Sequence, residues 1–515
     1  MPTTIPTATD TESATRTAVP YLDVRETHTG VVVLAGDRAF KAKKPVVTDF
    51  LDFRTPQQRE RACLREVELN SRLSPESYLG VAHLTDPAGG PPEPVVVMRR
   101  YRDTDRLASL VTRGESSKPV LDSLNAIAAA LARFHRHAER SREINAQGEA
   151  GAVWRRWRDN LVELERYAGE QNSGITVESV ARLQRLAGQF IAGRAALFAR
   201  RIEERRIVDG HGDLLADDIF WVGGKPALLD CLEFDDELRF LDCADDAAFL
   251  AMDLEFLGRR DLGDYFFERY AAHAADTAPP SLRDFYVAYR AVVRAKVDCV
   301  RVSQGNPDAA DDAARHLAMA ARHLKSGTVR LALVGGNPGT GKSTVARTLA
   351  ERVGAQVIST DDVRRELRDS GVIGGDPGVL DGGLYSPDNV ATVYDVVLRR
   401  ADLLLADGQS VILDGTWRDP HTRAQARRLA AEAHSAMVEL VCSATVDTAA
   451  DRITTRPPGN SEVTPEIASA LAAQREGWPT AHRLDTSRTL DHLSAEAHDV
   501  WQRVVLSPDS PGETE

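Results

Sequence analysis

The stretch that most constrains this chain is residues 329–350, VRLALVGGNPGTGKSTVARTLA. Residues 329–334 are a short, mostly apolar run, which predicts a buried parallel strand. Residues 336–343 then spell G-x-x-x-x-G-K-S: Gly336, Asn337, Pro338, Gly339, Thr340, Gly341, Lys342 and Ser343. From Thr344 the spacing turns helical, with Val345, Leu349 and Val353 on one face. Strand, glycine loop and helix start in that order make a phosphate cradle. The glycines let successive backbone N–H groups turn inward, and the helix N-terminus adds partial positive charge. Residues 336–344 are therefore expected to bind ATP. In this pattern Lys342 reaches the β- and γ-phosphates and the Ser343 hydroxyl ligates Mg²⁺.

A chain of 515 residues is too long for one core and predicts more than one domain. A net charge of −13 argues against a broad nucleic-acid or anionic-membrane surface, though it leaves room for a local basic pocket. The five cysteines (Cys63, Cys231, Cys243, Cys299 and Cys442) are scattered without metal-like pairing. That pattern suits a reducing cytosol, so the expected location is cytoplasmic. No apolar run approaches about 20 residues, so no membrane span is expected. Residues 1–20 are Thr-rich, carry Asp10 and Glu12 and have no apolar core, which predicts a disordered leader rather than a secretory signal. Residues 507–515, SPDSPGETE, predict a disordered tail.

Residues 21–100 predict strands with one helix. Runs 30–35 (GVVVLA) and 38–44 (RAFKAKK) flank Gly36-Asp37, a hairpin signal, and 59–73 carries Leu64, Val67 and Leu73 at helical spacing. Residues 105–205 predict helices, with Leu124, Ile127, Ala128, Leu131 and Phe134 on one stripe. His135 and His137 beside that stripe read as packing or solvated side chains. In residues 211–236, HGDLLADDIFWVGGKPALLDCLEFDD, β-like pieces at 219–222 and 227–229 flank a Gly-Gly turn, punctuated by Asp213, Asp218 and Asp230. Helices are expected at 242–257, 261–275, 281–304 and 308–325. Beyond residue 327 strands at 329–335, 355–359, 410–414, 437–442 and 483–486 alternate with helices, the pattern of a parallel sheet covered on both faces.

Acidic residues at strand ends carry the chemistry expected of the C-terminal half. Asp361 follows the second strand, where ligands bind in open α/β sheets, and is placed to take a proton from a substrate hydroxyl. Arg364 lies one turn further on the same face. A helix N-cap is the alternative role for Asp361. Asp414 ends the apolar run 411–413, a Walker-B-like position for Mg²⁺. Arg452 and Arg456 precede the Pro/Gly-rich loop 457–461. They read either as a lid that neutralises transition-state charge or as a solvated helix face. The fragments GNPGTGKS, STDDVR, ILDGT and DRITTR together resemble P-loop kinases that act on hydroxyl acceptors, such as polynucleotide 5′-kinases and gluconate-type kinases. Over 329–505 the resemblance implies Asp361 as base, Arg364 as a substrate contact and Arg452 or Arg456 as lid arginines.

The N-terminal half carries a second set. HGD at 211–213, with Asp218 five residues after Asp213 and Asp230 after the next apolar run, resembles the H-G-D-x-x-x-x-N loop and later metal-binding Asp of aminoglycoside phosphotransferases and related protein-kinase-like enzymes. That resemblance implies Asp213 as base, Asp218 and Asp230 as Mg²⁺ ligands, Lys41 as the phosphate-pairing lysine and Glu66 as its ion-pair partner. Asp218 stands where the family has Asn, Leu215 where a His is common, and no clear Gly-rich loop precedes Lys41.

The whole order, over 21–505, resembles bacterial bifunctional aminoglycoside phosphotransferase-like/ATP-binding proteins. The expected fold is an α+β, protein-kinase-like domain over 21–326 followed by an α/β P-loop NTPase domain over 327–506. The expected function is ATP- and Mg²⁺-dependent transfer of a phosphoryl group to a small-molecule hydroxyl. A nucleic-acid end is the second acceptor class, which the acidic charge counts against. The alternative is an ATPase-regulated binding or scaffold protein with a degenerate N-terminal pseudokinase.

Overall fold

In the computed structural model the described residues are 21–26, 30–46, 52–85, 89–113, 117–169, 174–376, 382–455 and 477–504. The leader, the tail, residues 27–29, Arg456 and the loop 457–461 lie outside them. The chain divides into two compact units, Met1–Leu110 with Asp217–Asp235, and Val111–Ala216 with Asp236–Glu515.

The first unit holds an antiparallel sheet of β1 (Leu22–Glu26), β2 (Gly30–Ala35), β3 (Arg38–Lys43), β4 (Tyr78–Leu84) and β5 (Glu93–Arg99), in the order β1-β2-β3-β5-β4. Ala35 opposite Arg38 leaves Gly36 and Asp37 as the two-residue turn that the sequence signals. The helix Pro56–Ser71 runs between β3 and β4, the position from which a protein-kinase-like fold presents its paired glutamate. It starts where it does because Thr55 and Gln58 form a capping box and Pro56 opens the first turn. Its Cys63 packs with Tyr78 and Val96 of the sheet, which buries Glu66 beside β3. Four short strands follow further along the chain: β6 (Ile207–Asp209), β7 (Ile219–Val222), β8 (Lys225–Leu228) and β9 (Phe240–Asp242). The β7–β8 hairpin belongs to the first unit, and β6 pairs with β9 in the second.

The second unit begins with helices, among them Lys118–His137, Ala195–Glu203, Cys243–Phe256, Pro280–Ser303 and Ala309–Ser326. Of the expected stripe, Leu124, Ile127, Ala128 and Leu131 are buried and Phe134 is half-buried. The start of Cys243–Phe256 is charged but buried. Asp242 caps it by accepting from Ala244 N, and its carboxylate lies 2.6 Å from Arg201, which also meets Asp276 at 2.6 Å. Asp245 pairs with Arg290 at 2.7 Å and Asp246 with His135 at 2.9 Å. Buried carboxylates persist only where each has a cation or several donors. These pairings therefore determine how the helices assemble.

The second unit ends in a five-stranded, wholly parallel sheet of β10 (Arg330–Gly336), β11 (Gln356–Ser359), β12 (Val411–Asp414), β13 (Ala436–Ser443) and β14 (His482–Asp485). All five stand close to their expected positions, in the order β11-β12-β10-β13-β14. Ala332 and Val334 face Val345, Leu349, Leu493 and Trp501 of the covering helices, while Leu331 and Leu333 are equally buried on the opposite face. This is the α/β P-loop fold. Arg194 joins it to the helical part, donating to Ala433 O at 2.8 Å and Ser435 Oγ at 3.0 Å, and Arg200 meets Asp407 at 2.6 Å.

Replacing Arg201 by Met leaves Asp242 and Asp276 buried without their shared cation. The expected loss is about 3–5 kcal/mol of unfolding free energy in urea denaturation. A change under about 1 kcal/mol would remove this triad from the determinants of the fold.

Candidate phosphate-loop site

The loop between β10 and the helix Lys342–Val353 is shaped by glycines that have no room for a side chain. Gly339 sits at φ 79°, and a Cβ there would lie 2.4 Å from Ala449 O. At Gly336, φ 143°, it would lie 2.6 Å from Cys442 O. Thr340 closes the turn by donating from Oγ1 to Asn337 O at 2.7 Å. The helix then starts at Lys342, two residues before the expected Thr344, so its free N–H groups face the loop.

Sheet register supplies the rest. In β12, Asp414 stands opposite Val334 of β10 on one side and Ser359 of β11 on the other. Asp414 is therefore two residues from both the phosphate loop and Asp361. Asp414 is 4% exposed and lies beside the Ser343 hydroxyl. Burial pushes its carboxyl above the usual range, and Lys342 and Ser343 only partly counter this. Its Oδ1 is buried with no hydrogen-bond partner among the described residues.

An orphaned carboxylate oxygen beside a serine hydroxyl offers the oxygen donors a small, hard cation takes. The residues fit Mg²⁺, which Ser343 and Asp414 would hold. The described residues contain no group of three His, Cys, Asp or Glu side chains able to hold a metal. Phosphate and water oxygens would therefore complete the shell.

The N-cap of helix Thr360–Asp369 is Ser359, whose Oγ accepts from Asp361 N at 3.3 Å. The alternative capping role for Asp361 thus falls to its neighbour. The Asp361 carboxylate instead meets Arg364 at 2.7 Å, and the Arg364 guanidinium lies 4.6 Å from the Tyr385 ring centre. Arg452 donates to Thr486 Oγ1 at 3.1 Å and Thr486 O at 2.8 Å, within 3.6 Å of where a Cβ on Gly341 would stand.

Three residues at this edge were not singled out from the sequence. Trp417 is buried at φ 49°, a backbone conformation uncommon for a bulky residue, and donates from Nε1 to Leu413 O at 3.1 Å. Tyr394 accepts from Trp417 N and contacts Thr416. Tyr385 lies under Arg364. The only sequence signal was an aromatic residue directly after Asp414-Gly415-Thr416.

The kinase-like residues fall in different units. In the first, Lys41 Nζ lies 3.0 Å from Glu66 and 2.5 Å from Asp230. Burial alone would lower the Lys41 ammonium; Asp230, Glu66 and Glu233 offset it and hold it well above its ordinary value. Asp230 sits at φ 62° and donates its N–H to Tyr78 OH. Asp218 ends a short 3₁₀ turn before β7, and its carbonyl accepts from Leu229 N at 3.0 Å.

In the second unit, Asp213 ends the HGD segment. Asp246 accepts from His211 N at 2.7 Å and Gly212 N at 3.0 Å, and Arg290 donates to Gly212 O. His135 is buried, binding Asp246 through Nε2 and Tyr270 through Nδ1. Burial would lower its pKa, but Cys243 and Asp246 raise it to about 10. The same contacts, His135 foremost, overcome burial and hold Asp246 below its ordinary range.

Residues 331–477 match the family AAA_33, described as an AAA domain. Proteins of Mycobacterium tuberculosis and Mycobacterium bovis, each described as an uncharacterized protein, are 66% identical over 486 residues, spanning 94% of this chain and 96% of theirs. The chain belongs to their family. Among solved structures it is similar to a choline/ethanolamine kinase family protein from Mesorhizobium loti (18% identity, 60% of this chain, 92% of that one, TM-score 0.37). It is also similar to a sugar kinase from Janibacter sp. (16% identity, 34% of this chain, 94% of that one, TM-score 0.28). No helix among the described residues is long and apolar enough to cross a membrane.

Two outcomes are expected. Gly339→Ala should weaken ATP binding about 10–100-fold by calorimetry, because the added carbon meets Ala449 O at a positive φ. The His135 pKa is raised on folding, so its stabilisation is complete below its ordinary value of 6.5 and is lost as pH rises towards about 10. Unfolding midpoints should fall across that window and flatten in His135→Gln; a flat wild-type profile would remove the buried pair as the cause.

Proposed function

We propose that the chain is an ATP-dependent phosphotransferase whose P-loop half moves the γ-phosphoryl group of ATP to a hydroxyl of a small molecule. One observation carries this reading. In the register of β11, β12 and β10, Asp414 lies between the phosphate loop and Asp361, with the Ser343 hydroxyl beside it and one oxygen unsatisfied. An ATPase needs the loop and Asp414. The additional acid one strand over, paired to an arginine beside an aromatic ring, suits an acceptor.

When bound, Mg²⁺ would be held by Ser343 and Asp414 and would supply positive charge that neutralises the charge developing on the transferred group. The glycine loop and Lys342 hold the phosphates in line. Asp361 takes the acceptor proton, Arg364 orients the acceptor, and Arg452, with Arg456 as a second candidate, neutralises charge at the transferred group. The N-terminal half is proposed as a second ATP·Mg site of the aminoglycoside phosphotransferase-like kind. Its assignments are Lys41 with Glu66 for phosphate, Asp213 as base, and Asp218 and Asp230 for the metal. We place the chain among the bifunctional proteins it resembles, with the functional division at residues 326–327 and a cytoplasmic location.

A second reading is favoured by Asp218 in place of Asn. In it the P-loop half hydrolyses ATP and regulates a non-catalytic partner half.

A γ-phosphate transfer screen against sugars, aminoglycosides, nucleosides and oligonucleotides separates the two. Acceptor-dependent labelling that falls about 10²–10³-fold in Asp361→Asn and in Lys342→Ala is expected. Steady hydrolysis with no labelled acceptor, unchanged in Asp361→Asn, would establish the regulatory reading.

A further inference from the structure

The sequence resemblance assigns one lysine to the phosphates in the N-terminal half, but β3 presents two. Lys41 and Lys43 are two residues apart and so share a face of the strand. Glu66 is fully buried between them. Its Oε1 lies 3.0 Å from Lys41 Nζ and its Oε2 2.6 Å from Lys43 Nζ. Outside these, Lys41 meets Asp230 and Lys43 meets Glu233, each at 2.5 Å. The first unit thus holds an alternating row, Asp230, Lys41, Glu66, Lys43, Glu233, with the two lysines from one strand and the two outer carboxylates from one four-residue segment.

The two lysines are not equivalent. The Lys41 side chain is 13% exposed and its outer partner Asp230 is 44% exposed. For Lys43 and Glu233 the values are 1% and 13%. Lys41 can exchange Asp230 for an incoming phosphate. Lys43, 1% exposed, lies between the fully buried Glu66 and the half-buried Glu233 and has no route to a ligand.

We infer that Lys43 is a positioning residue of the proposed N-terminal nucleotide site, holding the outer oxygen of Glu66 so that Lys41 remains available to phosphate. The inference rests on the reading of Lys41 and Glu66 given above. Without Lys43 both oxygens of Glu66 compete for Lys41, and three carboxylates surround a single ammonium. Lys41 is then drawn into the row and its charge withdrawn from the ligand. Asn70 reinforces the arrangement from the same helix, donating to Glu66 O at 2.9 Å and accepting from Cys231 N at 2.8 Å. The segment that supplies Asp230 and Glu233 is thereby tied to the helix that supplies Glu66.

The test measures MgATP binding by calorimetry in full-length chains carrying Lys342→Ala, which silences the phosphate-loop site. Lys43→Met is expected to weaken binding about tenfold relative to the Lys342→Ala parent, and Lys43→Arg, which keeps the charge, to stay within about threefold. Lys43→Met can unfold the chain by leaving Glu233 buried alone. The double variant Lys43→Met/Glu233→Gln removes both members together and still leaves Glu66 unheld, so the same tenfold loss is expected of it. Parent-like binding in the folded double variant overturns the inference. Lys41→Met separates the two levels. If Lys41→Met abolishes binding while the double variant retains it, the positioning role fails and the nucleotide site stands. If Lys41→Met also binds like the parent, the nucleotide reading of this half fails.

Discussion

The pairing of buried carboxylates is the constraint on which this protein depends. Asp242, Asp245 and Asp246 enter the interior within five residues, at the start of one helix. Left alone, each would cost several kcal/mol in a medium that solvates charge poorly. Each has a cation: Arg201, Arg290 and His135, which lie 41, 45 and 111 residues away in sequence. The contacts bring four helices to one point, and through Asp246 they hold the backbone of the HGD segment.

Asp414 is as buried but incompletely satisfied. It has a serine, a nearby lysine and one oxygen with no partner among the described residues. Glu66 likewise has two buried oxygens without a hydrogen bond, but lysines lie within 3.0 Å of both, whereas no such ion pair meets Asp414 among the described residues. That difference is what the proposed Mg²⁺ would make good, two residues in register from the glycine loop.

The first unit applies the same rule differently. Five charges alternate, so none is without an opposite, and exposure is greatest at the Asp230 end. In the proposed nucleotide site that open end is where a phosphate would exchange with Asp230. Its geometry comes from a strand alternation and a helix register, both of which are rigid.

Much of this was legible in the sequence. The strand, loop and helix at 329–350 could be read because strand burial, glycine geometry and helical spacing are local. The five parallel strands followed from apolar runs whose period and length are set by the backbone. The Lys41–Glu66 pair was expected from resemblance, and the structure places the two in contact. Spacing along the chain did not reveal Lys43 and Glu233, Trp417 at a positive φ, or Ser359 as the cap in place of Asp361. The first two depend on contacts between distant residues, and the last two on dihedral angles that neighbouring residues impose.

The sequence alone determined that this chain has a phosphate loop, a parallel sheet behind it and a strand-rich N-terminal part, because each is written in nearest-neighbour chemistry. Only the tertiary structure decided which cation meets each buried carboxylate and that residues 217–235 belong with the first sheet. Those outcomes depend on strand order and long-range pairing. A sequence pattern restricts them without selecting among them, because the free energy that decides lies in burying charges whose partners are many residues away.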